Sequence, residues 1–118
     1  PRLAAIVDWE MSTIGDPLID LGWMIVNWPG EGIATGAGAA LGHVAGFATT
    51  KELIARYAEH STRDLSAIDW YIVLACFKLG IILEGTHARA CAGKADKAVG
   101  DLLHSMTVAL FAKAETYL

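Results

Sequence analysis

The run Ile6-Val7-Asp8-Trp9-Glu10-Met11-Ser12-Thr13-Ile14-Gly15-Asp16-Pro17-Leu18-Ile19-Asp20-Leu21-Gly22-Trp23 decides how this chain is read. It begins inside the apolar segment Leu3-Ala4-Ala5-Ile6-Val7, which is short, partly β-branched and stopped by the carboxylate of Asp8. That pattern predicts a buried strand, which requires a partner strand from upstream sequence. Further on, Asp16 and Pro17 supply a helix N-cap and a proline at the first helical position, and Leu18, Leu21, Ile25 and Val26 recur at helical spacing up to Pro29. A helix over residues 17–28 is expected.

Working outward, residues 29–48 contain Gly30, Gly32, Gly36, Gly38, Gly42 and Gly46, which predicts a long loop. Thr49-Thr50-Lys51-Glu52 has the form of a capping box, in which hydroxyl and carboxylate each satisfy an orphan amide, so a helix is expected from there to about His60. Ser66 to Asp69 repeats a start signal, and the pattern from Ile68 through Ala92 is apolar on nearly every side until Gly93 stops it. This predicts a buried central helix. Between Asp96 and Tyr117, Val99, Leu102, Leu103, Met106, Ala109, Leu110 and Ala114 make one stripe of an amphipathic terminal helix. The expected fold is mainly α with a short N-terminal β-strand.

At 118 residues the chain fits one small domain. With 54% hydrophobic and 19% charged residues it is not disordered, and some of its apolar surface is expected to meet protein outside this sequence. The net charge is −4 and the 9 Lys and Arg are scattered, which removes a polyanion-tracking groove and with it nucleic acid as a partner. Cys76 and Cys91 share one helical pattern about four turns apart, too far to bridge, so free thiols and a reducing cytoplasm are expected. Trp70 to Leu83 is nearly uncharged but contains Lys78 and falls short of a membrane span. No secretory leader opens the chain, and the apolar run directly after Pro1, with no initiating methionine, suggests a piece of a larger protein.

The opening run resembles the aminoglycoside phosphotransferase (APH) family, kinases of small molecules whose fold is similar to that of protein kinases. The family pattern after its catalytic loop is an apolar strand, Asp, an aromatic, often Glu, then Gly-Asp-Pro and a further Asp-Leu. Asp8, Trp9, Glu10, Gly15-Asp16-Pro17 and Asp20-Leu21 match it in order and spacing. The resemblance implies that residues 1–118 are a single partial domain, the C-terminal helical part of a kinase-like C-lobe. It also implies transfer of the γ-phosphoryl group of ATP or GTP to a small-molecule hydroxyl with Mg²⁺ as cofactor. Asp8 would be the magnesium ligand, Val7 would lie beneath the nucleotide, Asp16 would cap its helix and Asp20 would brace the catalytic loop. Trp9 stands where protein kinases have the Phe of Asp-Phe-Gly, but Glu10 replaces the glycine, so their in-and-out switch is not implied.

The same resemblance identifies what this sequence lacks. There is no His-x-Asp catalytic loop with its downstream Asn, no N-lobe lysine, and no glycine loop followed by Lys-Ser or Lys-Thr. The chain alone is expected to be inactive, with the N-terminal part of the same kinase domain as its partner. The acceptor is expected to meet the loop after Trp28 and acidic groups such as Glu31. Looser similarity over Gly46-Phe47 to Tyr57, Asp69-Trp70-Tyr71 and Ala88-Arg89-Ala90 resembles the branch related to phosphotransferase domains attached to acyl-CoA dehydrogenases.

Plainer readings stand beside each of these. Asp8 can be an ordinary strand-terminating carboxylate, Val7 a buried strand residue, Asp20 a favourable charge at a helix start and Glu31 a solvated loop charge. Glu84-x-x-His87 and Asp101-x-x-His104 have the spacing used in dinuclear metal bundles, but the further inward carboxylates such a site requires are not evident. His87 and Cys91, four apart, make only a two-ligand set. A competing function from a different class is a non-catalytic helical interaction module.

Overall fold

The computed structural model describes residues 2–7, 9, 12–29 and 46–118. Among them are four helices in chain order, α1 (Leu18–Val26), α2 (Thr50–His60), α3 (Ile68–Cys91) and α4 (Lys97–Glu115). The strand expected over Leu3–Val7 is not formed. Residues 2–7 carry no regular structure, and Leu3, Ile6 and Val7 are all exposed. An extended segment becomes a strand only by pairing its amides and carbonyls with a neighbour, and no second strand exists among the described residues. β-Branched composition without a ladder does not suffice.

α1 begins as its sequence dictates. Pro17 already has helical dihedrals, φ −59° and ψ −16°, and the Asp16 carboxylate accepts the Leu18 N–H at 2.9 Å, the geometry of an N-cap. The helix buries Leu18, Leu21, Gly22, Ile25 and Val26 on one face. Gly22 lies against α3 so closely that a β-carbon there would come within 2.6 Å of the Tyr71 carbonyl oxygen. The end of α1 is tied to the segment before α2 by Trp28, whose Nε1 donates to Ala48 O at 2.7 Å and whose ring meets Phe47 edge-on at 5.9 Å.

α2 starts on the expected capping box. Thr49 Oγ1 accepts the Glu52 amide at 3.2 Å while Glu52 Oε2 accepts the Thr49 amide at 2.7 Å. Its Leu53, Ile54 and Tyr57 are partly buried against the core. The start signal at Ser66 is used differently from the expectation. Asp64 accepts both the amide and the hydroxyl of Ser66 at 2.9 Å in a turn, and α3 opens at Ala67 without a side-chain cap.

α3 and α4 form an antiparallel hairpin, reversed at Gly93, where φ of +69° suits a residue without a β-carbon. On α3 the residues Ile72, Ala75, Cys76 and Leu79 are buried at helical spacing, and with Leu18, Leu21, Ile25 and Val26 of α1 and Leu110 of α4 they make the core. The central helix is therefore covered on one face rather than all round. Trp70, Phe77 and Ile81 are more than half exposed, and Ile82 is exposed as well.

The stripe on α4 is rotated from the one expected. Gly100, Thr107 and Leu110 are buried, whereas Val99 and Leu102 are exposed. Thr107 is accommodated because its hydroxyl lies 3.2 Å from the carbonyl of Gly80 on α3 and 3.1 Å from that of Leu103. Both Cys76 and Cys91 are free thiols, as expected, and no described helix is long and apolar enough to cross a membrane.

Candidate functional site

The sequence nominates Val7, Asp8, Asp16 and Asp20, and the structure treats them unequally. Asp8, with Glu10 and Glu31, lies outside the described residues. Val7 is 77% exposed and belongs to no strand. Beyond it Trp9 is also exposed, with its indole N–H donating to Ile6 O at 2.9 Å. Ser12 closes back on the same residue, its amide donating to Trp9 O at 3.0 Å and its hydroxyl donating to that oxygen at 2.7 Å. Ser12 is thus tied to Trp9 by both its amide and its hydroxyl.

Asp16 is the best-anchored member. One carboxylate oxygen accepts the Leu18 amide and the other accepts the Tyr71 hydroxyl of α3 at 2.9 Å. The amide bond, then the Tyr71 bond and the charge of Arg63 hold the Asp16 carboxyl below its ordinary range. The same bond to Asp16 pushes the Tyr71 phenol upward. Asp16 is therefore more than a helix cap, because it joins the start of α1 to the first turn of α3. Tyr71 is the residue that sequence reading missed as part of this arrangement. Its only sequence signal is its place in the Asp69-Trp70-Tyr71 stretch.

Asp20 sits exposed in the first turn of α1, where its charge complements the helix dipole. Among the described residues its carboxylate has no hydrogen-bond partner.

The rival constellation assembles in part. Glu84 Oε1 lies 2.7 Å from Nδ1 of His87 on the same helix, and Oε2 lies 2.9 Å from Nδ1 of His104 on α4. The two imidazoles stack at 4.3 Å. Cys91 Sγ is 3.4 Å from the far nitrogen of His87. Asp101, which sequence spacing groups with His104, instead pairs with Lys97 at 2.6 Å, so the symmetric pair of Glu/His motifs that a dinuclear centre uses is not formed. The two imidazole bonds hold the Glu84 carboxyl below its usual range, with the His104 bond contributing most.

The profile of the phosphotransferase enzyme family (APH) matches residues 1–60, the region containing the Asp8 motif, α1 and α2. Acyl-CoA dehydrogenase family member 11 of Rattus norvegicus is 31% identical over 96 residues, covering 78% of this chain and 12% of that protein. The protein of the same name from Homo sapiens is 31% identical over 98 residues with the same shares. The one from Gallus gallus is 30% identical over 102 residues, which are 80% of this chain and 13% of the relative. The chain therefore spans only a small part of the length of the curated relatives it matches. No solved structure matches. With the profile running through the Asp-aromatic-Glu, Gly-Asp-Pro and Asp-Leu elements and over half of the sequence, this chain belongs to the APH phosphotransferase enzyme family.

Proposed function

We propose that the chain is the C-terminal portion of a small-molecule kinase domain that transfers the γ-phosphoryl group of ATP or GTP to a substrate hydroxyl, and that it is inactive without the rest of the domain. The observation that carries this reading is the set Asp8, Gly15-Asp16-Pro17 and Asp20-Leu21 inside the matched region, with Asp16 anchored to both Leu18 and Tyr71.

In this reading Asp8 holds Mg²⁺. A carboxylate is the hard oxygen donor that this ion takes, and bound Mg²⁺ would neutralise charge on the nucleotide phosphates. Val7 contributes apolar contact to the nucleotide. Asp16 acts at one remove, fixing the segment that carries Asp8 to the helical body, and Asp20 takes up backbone of the catalytic loop once that loop is present. The loop after Trp28, with Glu31, faces the acceptor. A setting in the reducing cytoplasm accords with the two free thiols.

The test uses the full-length protein, Mg·ATP and a panel of hydroxylated small molecules, with nucleoside diphosphate release as the readout. Acceptor-dependent release that falls by at least about a hundredfold in Asp8→Asn is expected, since removal of electrostatic stabilisation at a transferring group costs that order. Release independent of every acceptor, or unchanged in Asp8→Asn, would refute the reading.

A second reading, a non-catalytic interaction module, draws on the exposed Phe77, Ile81 and Val108 of the α3–α4 hairpin. It predicts no nucleotide turnover by the full-length protein under any condition.

A further inference from the structure

At the end of the α3–α4 hairpin nearest its turn, far along α3 from the Tyr71 that meets Asp16, Glu84, His87 and His104 converge from two helices. Helical spacing puts Glu84 and His87 on one face of α3, one turn apart. Their meeting with His104 is set by packing. Gly100 on α4 presses on Ala90, so that a β-carbon at Gly100 would collide with the Ala90 methyl and would stand 3.5 Å from the His87 Cα. This close approach brings His104, one turn further along α4, beside Glu84. The approach of the two helices that brings these side chains together is thus set by backbone contact.

Both ring nitrogens turned toward Glu84 are Nδ1, and the rings lie nearly parallel, 28° apart. One carboxylate therefore serves two imidazoles. The donor atoms of the three residues all lie within 4.8 Å of one another. Tetrahedral zinc, with bonds of about 2.0–2.1 Å, spaces its ligands roughly 3.4 Å apart, so closure around an ion asks for shifts on the order of 1 Å. Glu84 and His104 can make them, because their side chains are 41% and 48% exposed.

The far nitrogen of His87 lies 3.4 Å from Cys91 Sγ, and an Nε2 proton directed at that sulfur would leave Nδ1 to serve as ligand. Two imidazole nitrogens and one carboxylate oxygen make up a three-ligand donor set. This donor set suits late first-row ions over the all-oxygen preference of Mg²⁺ and Ca²⁺.

We propose that Glu84, His87 and His104 bind a divalent late transition-metal ion, Zn²⁺ by its donor set, that clips α3 to α4. The site is independent of the nucleotide chemistry proposed for Asp8. Cys91 is a positioning residue outside the coordination sphere, and Asp101, engaged by Lys97, adds negative charge nearby.

The test is calorimetric titration of tag-free, chelator-treated full-length protein with ZnCl₂ in the presence of millimolar MgCl₂. One Zn²⁺ is expected at this site, with affinity lowered at least about tenfold in Glu84→Gln and His104→Gln and little changed in His60→Gln. Circular dichroism confirms that each variant is folded. As a measurement that requires no substitution, the imidazole NMR signals of His87 and His104 should shift on Zn²⁺ addition while that of His60 does not. Co²⁺ should give the visible absorption of a nitrogen- and oxygen-ligated ion without a thiolate charge-transfer band. Imidazole signals of His87 and His104 that ignore Zn²⁺ would overturn the proposal. So would binding of equal strength in folded His104→Gln, or a thiolate band abolished by Cys91→Ala.

Discussion

The segment from residue 2 through α1 and the α3–α4 hairpin differ in where their order comes from. The first carries nearly all the recognisable chemistry of the sequence, yet Leu3, Ile6, Val7, Trp9 and Ile14 are exposed and its regularity begins only at Asp16. The hairpin carries only the looser Asp69-Trp70-Tyr71 and Ala88-Arg89-Ala90 similarities and the Glu/His spacings, but it supplies much of the core, from Ile72 to Leu79 and across to Leu110. Motif density and packing density are separate properties. A family's chemical signature marks residues that serve a site, whereas helical burial marks residues that hold the body together. α1 is the joint between the two, because it presents its apolar face to α3 and receives Asp16 at its start.

The hairpin is the region most sensitive to loss of packing. Leu110→Ala removes a fully buried α4 side chain from the core and should lower unfolding free energy by about 2–5 kcal/mol in urea denaturation. A loss near zero would mean that the hairpin does not carry the fold.

Gly22→Ala addresses the joint. Its β-carbon would meet the Tyr71 backbone and Cβ, which cannot swing aside, so a loss of about 1–3 kcal/mol is expected, with amide exchange accelerated in α1 more than in α3 and α4. Uniform acceleration would show that the two regions unfold as one.

The smallest expected effect is at Asp16. Its carboxyl is held down by the Leu18 amide and the Tyr71 hydroxyl, so its folded value lies below its unfolded one. The stabilisation is therefore present above the ordinary aspartate range, about pH 4, and is lost as pH falls through the lower folded value. Asp16→Asn should flatten that acid limb. Tyr71→Phe should flatten it partly, since the Leu18 bond remains. Acid titration monitored by circular dichroism separates these outcomes, and an unchanged limb in Asp16→Asn would remove Asp16 as the link between the regions.

Much of the helical fold was legible in the sequence because its signals are local. The Thr49–Glu52 capping box, the Asp16-Pro17 start and the Gly93 stop each act within one turn, and the structure uses all three. The strand over Leu3–Val7 was not, since a strand is completed by a neighbour and composition cannot supply one. The stripe on α4 was misplaced because apolarity favoured Leu102 over Thr107, whose hydroxyl is satisfied by a carbonyl 27 residues away.

The candidate site divides in the same way. Asp16 was found through its local capping pattern. Tyr71 was not, because 55 residues of chain separate it from its partner. The spacing of Glu84 and His87 was evident, but pairing with His104 instead of a separate Asp101–His104 motif depends on the rotational phase of α4, which the contact of Gly100 with Ala90 sets.

The central claim, that this family segment contributes a metal ligand to a nucleotide site completed elsewhere, is tested most directly by Mg·ATP calorimetry on the isolated chain, the full-length protein and full-length Asp8→Asn. Binding by the full-length protein alone, weakened at least about tenfold by the substitution, is the predicted result. Full-length binding that ignores Asp8→Asn would contradict it.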